Sequence, residues 1–524
     1  MTASDSDAVV RGAVRAALAI RAGARPICVT YIADSLATQA GRTFISEGHA
    51  VAGMMRSADD SAGSLGVTLL ALSGRDTARV VVQLDGDFGR GGHPFWINRI
   101  EYDFTRDSSS GSWRFIAQRA LYFADGIVDD PSRAPPPSCL NSAAPTAASR
   151  AAPPAEWPSY VSAFDAYVHA DSIVGAATLV MRDGRVLAHH ETGFADRALS
   201  QRVDTNTIFH WGSITKTLTA IAVMQLVERG RLSLDARVTD YIPELHRVHD
   251  AWGSMDSVTV QMLLSHASGL QNGTWPWTQG RPWEPFEPTT WEQLVAMMPY
   301  QEVAFKPGTR YSYSNPGFIY LARIVQALSG DPWEAYVQKN IFTPLGLTRS
   351  YFNATPWHLA EYRSNNYSVE RDSARRGVRV AANGREFNPG ITVPNGGWNA
   401  PLGDLATYLA FLTNASHGDA FTQRTYDTIM PHATLERMWR PRYPTNPPDA
   451  AGEWMATSFF VYRKGDATIV GHTGSQAGFR AFVYWNPVTK DAVIAAFNTS
   501  NEVDPSASTK GYDALRQVAW TLLR

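Results

Sequence analysis

The sequence predicts an α+β protein with two domains of unequal size. Its 524 residues exceed the roughly 250 to 300 at which one hydrophobic core stops growing. Residues 131–157 are rich in Pro, Ala and Ser and lack apolar periodicity, which is the composition of an extended linker. After this linker, strand patterns lie near both ends and helical patterns lie between them. That order predicts one antiparallel sheet covered by helices. We therefore expect a small α+β domain at 1–130, a linker at 131–157 and a larger domain at 158–524.

The small domain is predicted to begin with an amphipathic helix and to continue as an antiparallel meander. Its alternating apolar runs are separated by Gly, Asp and Ser turns, and they lie at 66–74, 78–88, 96–107 and 112–123. The final stretch, GSWRFIAQRALYFADG, resembles the last strands of the nuclear transport factor 2-like (SnoaL-like) cone domains, whose curled sheet encloses a pocket. The resemblance implies a cone-like domain that would hold a ligand or join two copies in a homodimer.

The larger domain opens and closes with strands. A predicted hairpin at 175–193 opens it, and apolar strand runs at 458–474, 478–487 and 491–500 close it. A helix follows at 512–523, and a long middle region contains helices and loops rich in Trp and Pro. The two ends of the domain are therefore expected to share one sheet.

Composition and charge exclude some classes of partner. Lysine and arginine number 47 against 49 acidic residues, so the chain lacks the basic excess of nucleic-acid-binding proteins. Arginines at 11, 15 and 21 interrupt any apolar run long enough for export or a membrane span. Cys28 and Cys139 match no zinc or redox spacing, which favours free thiols. We expect a cytoplasmic protein with no membrane or nucleic-acid partner, unless a leader has been removed.

One stretch, HWGSITKTLTAIAVMQLVERG at 210–230, combines a serine with a lysine at the start of an apolar helix. Lys216 begins this helix close to the interior, where desolvation disfavours an ammonium, so it is either paired or works as a base. Ser213 lies three residues earlier, on the same helix face. The free N–H groups of a helix N-terminus would favour a developing alkoxide and oxyanion. The alternative is an N-cap serine followed by a lysine that extends its ammonium to solvent.

Two later motifs complete a recognisable order. Tyr313, Ser314 and Asn315 lie on a loop that leads into a helix, and the segment HTGS at 472–475 ends an apolar strand. The order SxxK, YxN and [KH]TG is similar to that of the serine β-lactamase and penicillin-binding-protein superfamily, and the YSN form resembles its class C-like and esterase branch. The resemblance covers about 158–524. It implies a β-lactamase-like antiparallel sheet flanked by helices, with a helical subdomain.

The resemblance also implies catalytic roles. Ser213 would be the nucleophile that forms an acyl-enzyme, and Lys216 would take or relay its proton. Tyr313 would share the base role and protonate the leaving group, while Asn315 would orient Lys216 and contact the acyl amide. The backbone N–H groups of Ser213 and Ser475 would form the oxyanion hole.

His472 stands where β-lactamases usually have a lysine. A mostly neutral imidazole suits a hydrogen bond to Tyr313 better than attraction of a carboxylate. The alternative is a strand histidine satisfied by a neighbour. Thr473 and Gly474, the rest of this motif, would contribute to substrate binding. HTG strands are similar to those of esterases, D-amino-acid peptidases and penicillin-binding-protein-type thioesterases, so we expect poor β-lactam turnover.

Four tryptophans lie in loops that border the active site in relatives. Trp275, Trp277 and Trp283 belong to NGTWPWTQGRPWEPF, and Trp398 belongs to NGGWNAP. They either form an aromatic acyl or leaving-group pocket or cover the core. An aromatic pocket would favour bulky neutral esters or acyl thioesters.

Together the motifs predict a serine hydrolase or acyltransferase that acts on an ester, thioester or amide of a small apolar metabolite. One alternative is a β-lactamase or D-amino-acid peptidase. An alternative from another class is a catalytically inactive ligand-binding protein. No metal or cofactor is predicted. The sequence leaves open the exact substrate and whether water or another nucleophile releases the acyl group.

Overall fold

The structure is a computed structural model. It describes five strands before residue 123, and after them residues 152–270, 288–372, 377–446 and 452–523. The chain divides into two compact units, Met1–Pro145 and Thr146–Arg524, and each is described by itself. The division falls within the predicted linker. The predicted N-terminal helix and Trp275, Trp277 and Trp283 lie outside the described residues.

The first unit contains an antiparallel meander. Its strands are β1 (Ala50–Arg56), β2 (Ser64–Ser73), β3 (Thr77–Gly86), β4 (Asn98–Arg106) and β5 (Trp113–Tyr122). They pair in chain order, each antiparallel to the next. Strands β2 to β5 match the predicted runs. Strand β1 was not predicted, because its sequence AVAGMMR has no polar alternation that would mark a strand. The resemblance to the cone domains stays a prediction.

The second unit is built around a nine-stranded antiparallel sheet. The described strands of this unit, which also form two smaller sheets, are β6 (Gly175–Arg182), β7 (Arg185–Asp196), β8 (Gln201–Arg202), β9 (Ile208–His210), β10 (Asn366–Asp372), β11 (Gly377–Gly384), β12 (Asn399–Pro401), β13 (Tyr443–Pro444), β14 (Glu453–Met455), β15 (Phe460–Lys464), β16 (Ala467–Gln476), β17 (Phe479–Trp485), β18 (Asp491–Phe497) and β19 (Thr499–Asn501). The large sheet has the order β13-β14-β15-β16-β17-β18-β6-β7-β8. Strands β18 and β6 are neighbours, so the two ends of the domain share one sheet as predicted.

Helices cover both faces of this sheet. They are α1 (Trp157–Ala170), α2 (Thr215–Glu228), α3 (Val260–Leu264), α4 (Trp291–Met297), α5 (Asn315–Ser329), α6 (Trp333–Val337), α7 (Thr343–Leu345), α8 (Val393–Gly396), α9 (Leu402–Leu412), α10 (Ala420–Ile429), α11 (His432–Met438) and α12 (Pro505–Ala519). A π-helical turn, Gln338–Phe342, joins α6 to α7. Among the described residues, no helix combines the length and the apolar character that crossing a bilayer requires.

The two faces of the sheet carry separate cores. On one face, α1 and α12 pack through aromatic side chains, with Phe164 and Tyr512 both beside Phe497 of β18. On the other face, α2, α5 and α9 form a larger core with the opposite side chains of β17 and β18. The α+β class predicted from the sequence is therefore confirmed.

Helix α2 lies at the centre of the larger core. Its first twelve residues are all buried, which fits a helix that is apolar on nearly every side. It ends at Glu228, and Gly230 follows with φ +65°, a left-handed conformation that stops a helix. Because the helix is buried from its first turn, Lys216 in that turn is buried as well.

Candidate active site

Ser213 lies on a tight turn that leads directly into α2. The turn is a 3-10 helix, Gly212–Ile214, and the serine is half-buried. Gly212 has φ +49°, and a Cβ placed on it would lie 2.8 Å from the backbone nitrogen of Ser475. A larger residue would therefore be strained and would push strand β16 away from the serine.

Lys216 reaches Ser213 from within the core. Its Nζ lies 3.0 Å from Ser213 Oγ and donates a 2.8 Å hydrogen bond to the carbonyl oxygen of Asn395 in α8. The side chain is fully buried, and among the described residues it forms no ion pair with a carboxylate. Desolvation therefore lowers the pKa of Lys216 well below its ordinary value. A neutral amine at this position can accept the serine proton.

Tyr313 lies immediately before the cap of α5. Ser314 caps the helix by accepting a hydrogen bond from Gly317 N–H, and Pro316 in the first turn fixes its start. Burial raises the pKa of Tyr313, and a hydrogen bond with the Ser213 side chain opposes that shift. The phenol therefore keeps its proton. Lys216 Nζ lies 4.9 Å from the centre of the Tyr313 ring, so the nucleophile, the amine and the phenol are grouped together.

The backbone of β16 approaches the serine turn closely. A Cβ on Gly474 would collide with the carbonyl oxygen of Trp211 and would lie 3.4 Å from Ser213 N. The same strand brings Ser475 N beside Gly212. The two N–H groups predicted to form an oxyanion hole therefore belong to segments in close contact. The glycine of the HTG motif is required by this contact.

His472 is buried and neutral, and its predicted hydrogen bond to Tyr313 is absent among the described residues. Its side chain is 1% exposed, and Nδ1 donates to the carbonyl oxygen of Thr473 at 2.6 Å. Nε2 has no hydrogen-bond partner in the described part of the chain. Burial and the neighbouring Lys216 lower the pKa of His472 to about 3. The predicted hydrogen bond between His472 and Tyr313 is therefore wrong. The imidazole instead donates to the backbone carbonyl of Thr473, the next residue of the strand.

Two residues that the sequence did not single out support this group. His266 follows α3 with φ +53°, and its ring stacks on Tyr313 with centroids 4.2 Å apart. Its Nδ1 accepts a hydrogen bond from Ser314 N–H at 3.0 Å, which fixes the ring behind the phenol. Asn395 supplies the carbonyl that holds Lys216. Asn395 opens the segment NGGWNAP that contains Trp398, but nothing local marked the role of either residue.

Asn315 connects to the lysine through another residue. It is the first residue of α5, and its Oδ1 lies 3.4 Å from the Nδ2 of Asn395. Lys216 itself contacts Ser213 and the Asn395 backbone. The predicted roles of Asn315, orienting Lys216 and contacting the acyl amide, stay predictions.

Trp398 lies in the core. Its side chain is fully buried, and its ring packs against Phe342 and Tyr408, with centroids 5.7 Å and 5.3 Å away. A ring so enclosed cannot contact a substrate. The sequence offered two interpretations of the loop tryptophans, a substrate pocket or a cover for the core. For Trp398 the pocket role is wrong, and the side chain belongs to the core.

Near the serine turn, a buried histidine makes the stability of the fold depend on pH. Burial and the charge of Arg363 lower the pKa of His210 to about 4. Because an unfolded histidine has a pKa near 6.5, stability is full above that pH and is lost as the pH falls towards 4. From pH 7 to pH 5 the loss is about 2 kcal/mol for this group. His210→Gln should show a shallower decline of the free energy of unfolding over that range, and an equal slope would contradict the assignment.

Comparison with known proteins identifies the family. The Beta-lactamase family model matches residues 161–517. The chain therefore belongs to the Beta-lactamase family, which confirms the resemblance inferred from the three motifs. Among the described residues, no group of three or more His, Cys, Asp or Glu side chains is arranged to hold a metal ion.

Individual relatives include esterases and penicillin-binding proteins. Esterase EstB of Burkholderia gladioli is 33% identical over 196 residues, which are 35% of this chain and 48% of the esterase. Penicillin-binding protein 4 of Amycolatopsis lactamdurans is 36% identical over 189 residues, 36% of this chain and 47% of that protein. The chain thus spans about half the length of these curated relatives. The octameric penicillin-binding protein homologue from Pyrococcus abyssi has a TM-score of 0.56 and 27% identity, covering 69% of this chain and 77% of that one.

Proposed function

We propose that this protein is a serine hydrolase that forms an acyl-enzyme at Ser213. The observation that carries the proposal is the contact of 3.0 Å between Ser213 Oγ and a buried Lys216 whose pKa is lowered. A desolvated amine beside a hydroxyl is an arrangement that activates a serine nucleophile. An inactive binding protein would not need to bury an unpaired amine beside a serine, so this alternative has less support.

In the proposed acylation step, the Lys216 amine accepts the hydroxyl proton as Ser213 Oγ attacks the carbonyl carbon. The N–H groups of Ser213 and Ser475 stabilise the oxyanion. The bond to the leaving group breaks, and the Tyr313 phenol donates a proton to it while recovering one from Lys216. Water then attacks the acyl-enzyme by the same route, which releases a carboxylic acid and restores Ser213. Transfer of the acyl group to another nucleophile would use the same first step.

For the substrate, we propose an ester or thioester rather than a β-lactam. A His472 that stays neutral offers no cation to the carboxylate that β-lactams carry. The similarity to Esterase EstB supports ester hydrolysis, while the similarity to a penicillin-binding protein keeps a β-lactam or D-amino-acid peptide as the second candidate. Trp398 lies in the core and gives no support to an apolar acyl group.

The first test is intact-mass spectrometry after exposure to p-nitrophenyl esters, N-acetylcysteamine thioesters, D-Ala amides and penicillin. We expect a covalent adduct of acyl mass from an ester or thioester, and no adduct in Ser213→Ala. Failure of all four classes to acylate the wild-type protein would contradict the proposed function.

Substrate preference gives a second prediction. The kcat/KM for an aryl or medium-chain ester should exceed that for a chromogenic cephalosporin by at least about tenfold, because position 472 supplies no charge. Steady-state kinetics on both compounds and on a D-Ala-D-Ala peptide measure this. A tenfold preference for the cephalosporin would make β-lactam hydrolysis the better assignment.

A further inference from the structure

Arg363 is a buried cation that has no counter-ion among the described residues. Its side chain is 2% exposed, and Nε donates a 3.1 Å hydrogen bond to the carbonyl oxygen of Arg385. Nη1 is buried and has no hydrogen-bond partner among the described residues. No carboxylate of those residues lies within 4.0 Å of this guanidinium. A buried charge with unused donors is costly unless something pairs with it.

Glu386 does not supply that pair. It acts on Arg363 electrostatically, but its side chain is exposed and accepts a hydrogen bond from Thr355 N–H at 3.3 Å. Tyr351 also lies near the guanidinium, but its hydroxyl shares a 2.6 Å hydrogen bond with Thr355. Among the described residues, the buried Nη1 therefore keeps an unused donor.

The guanidinium lies against β17, the strand that pairs with the one carrying the proposed oxyanion donor. Its Cζ is 4.9 Å from the ring centre of Phe479, and Phe479 pairs across the hairpin with Gln476, the residue after Ser475. Alternate residues of a strand share a face, so Gln476 lies on the same face as Gly474 and His472. Arg363 is thus a neighbour of the proposed active site.

A second set of contacts ties Arg363 to the serine turn. Its backbone pairs with Ile208, the first residue of β9, three residues before Trp211. His210, at the end of β9, lies 3.1 Å through Nε2 from Gln476 Oε1, and its ring centroid is 5.9 Å from that of Phe479. The charge of Arg363 contributes to the lowered pKa of His210. His210, Gln476 and Phe479 therefore link Arg363 to the segment that leads to Ser213.

The positions along β16 indicate which part of a substrate Arg363 would meet. Tyr313, the proposed proton donor to the leaving group, lies with Lys216 and His266 at the His472 end of the site. Arg363 lies against Phe479, which pairs with Gln476 at the other end of this motif. The acyl group, which points away from the leaving group, would extend towards Arg363.

We propose that Arg363 binds a carboxylate at the far end of the substrate's acyl chain, so that the preferred substrates are mono-esters or mono-thioesters of dicarboxylic acids. A guanidinium suits this task because its planar fork matches a carboxylate with two parallel hydrogen bonds. The inference rests on the proposed acyl-enzyme at Ser213. It assigns recognition of negative charge to Arg363 and not to His472.

The test compares dicarboxylic and fatty acyl N-acetylcysteamine thioesters of matched chain length, from four to eight acyl carbons. Wild-type protein should show a higher kcat/KM for the carboxylate-bearing member of at least one pair. Arg363→Met should lower the ratio of the two kcat/KM values at that length by about twentyfold or more. Arg379→Met, at an exposed arginine paired with Glu370, should leave the ratio unchanged.

Each outcome bears on one proposal. A wild-type protein that prefers the neutral thioester at every length, or an Arg363→Met ratio equal to wild type, would overturn the role of Arg363. Absence of acylation by both series and by the three other substrate classes of the first test would instead overturn the proposed function. If Arg363→Met does not fold, Arg363→Lys, which keeps the charge and loses the planar fork, should still reduce the ratio, and an unchanged ratio would contradict the inference.

Discussion

Ser213→Ala is expected to lower kcat for an ester substrate by about ten-thousand-fold or more and to abolish the covalent adduct. The hydroxyl is the atom that would form the acyl bond, and Lys216 and Tyr313 have no other nucleophile to activate at this position. The serine is half-buried on a turn, so removing one oxygen opens no cavity in the core. The melting temperature should therefore stay close to that of the wild type. Steady-state kinetics measure the loss of kcat, intact-mass spectrometry measures the adduct, and thermal denaturation measures the melting temperature.

Ser506→Ala is a matched control for this substitution. Ser506 is exposed in the first turn of α12, on the sheet face opposite to α2. Its removal should leave kcat and the adduct unchanged. If Ser213→Ala retained more than a few per cent of the wild-type rate, the mechanism proposed here would be wrong.

Lys216→Met is expected to reduce kcat by about a thousandfold or more, since the serine loses its base. Methionine has a similar length and no charge, so it suits a fully buried position. Replacing an amine that is already desolvated by an apolar side chain should keep or raise the melting temperature. A loss of activity in a folded protein would therefore report chemistry and not unfolding.

Lys216→Arg separates the base from the charge. An arginine stays protonated in proteins, so it can carry a positive charge here but cannot accept the serine proton. Activity should be lost in this variant as well, if the protein folds by circular dichroism. In the wild type, activity should rise with pH as Lys216 loses its proton, with the acid limb below the usual lysine range. A variant with arginine that kept the wild-type rate would refute a base role.

Much of the fold followed from patterns that are local in the chain. The apolar residues of α2 and the stop at Gly230 predicted a buried helix, and the strand alternation predicted β6, β7 and β15 to β18. Period and turn residues carry this information because each element must bury one face. The short strands β12 to β14 were missed, since two or three residues show no period, and long-range pairing alone defines them.

The residues of the candidate site also fall into those that the sequence predicted and those that only long-range contacts define. Ser213 and Lys216 were nominated by residue type and spacing, and the resemblance of the motif order to the superfamily added Tyr313. Partners far apart in the chain were not predictable. His266 stacks on Tyr313, and Asn395 holds Lys216 across 179 positions of sequence.

The sequence by itself determined the family motifs, the α+β class and the choice of candidate catalytic side chains, since these depend on residue type, spacing and local periodicity. Tertiary structure alone decided the protonation states and the environment of the site. Desolvation depends on which distant segments cover a group, and this is why the pKa values of Lys216 and His472 are lowered in the folded chain. The same dependence buried Trp398 in the core and placed Arg363 against β17, where no counter-ion lies among the described residues.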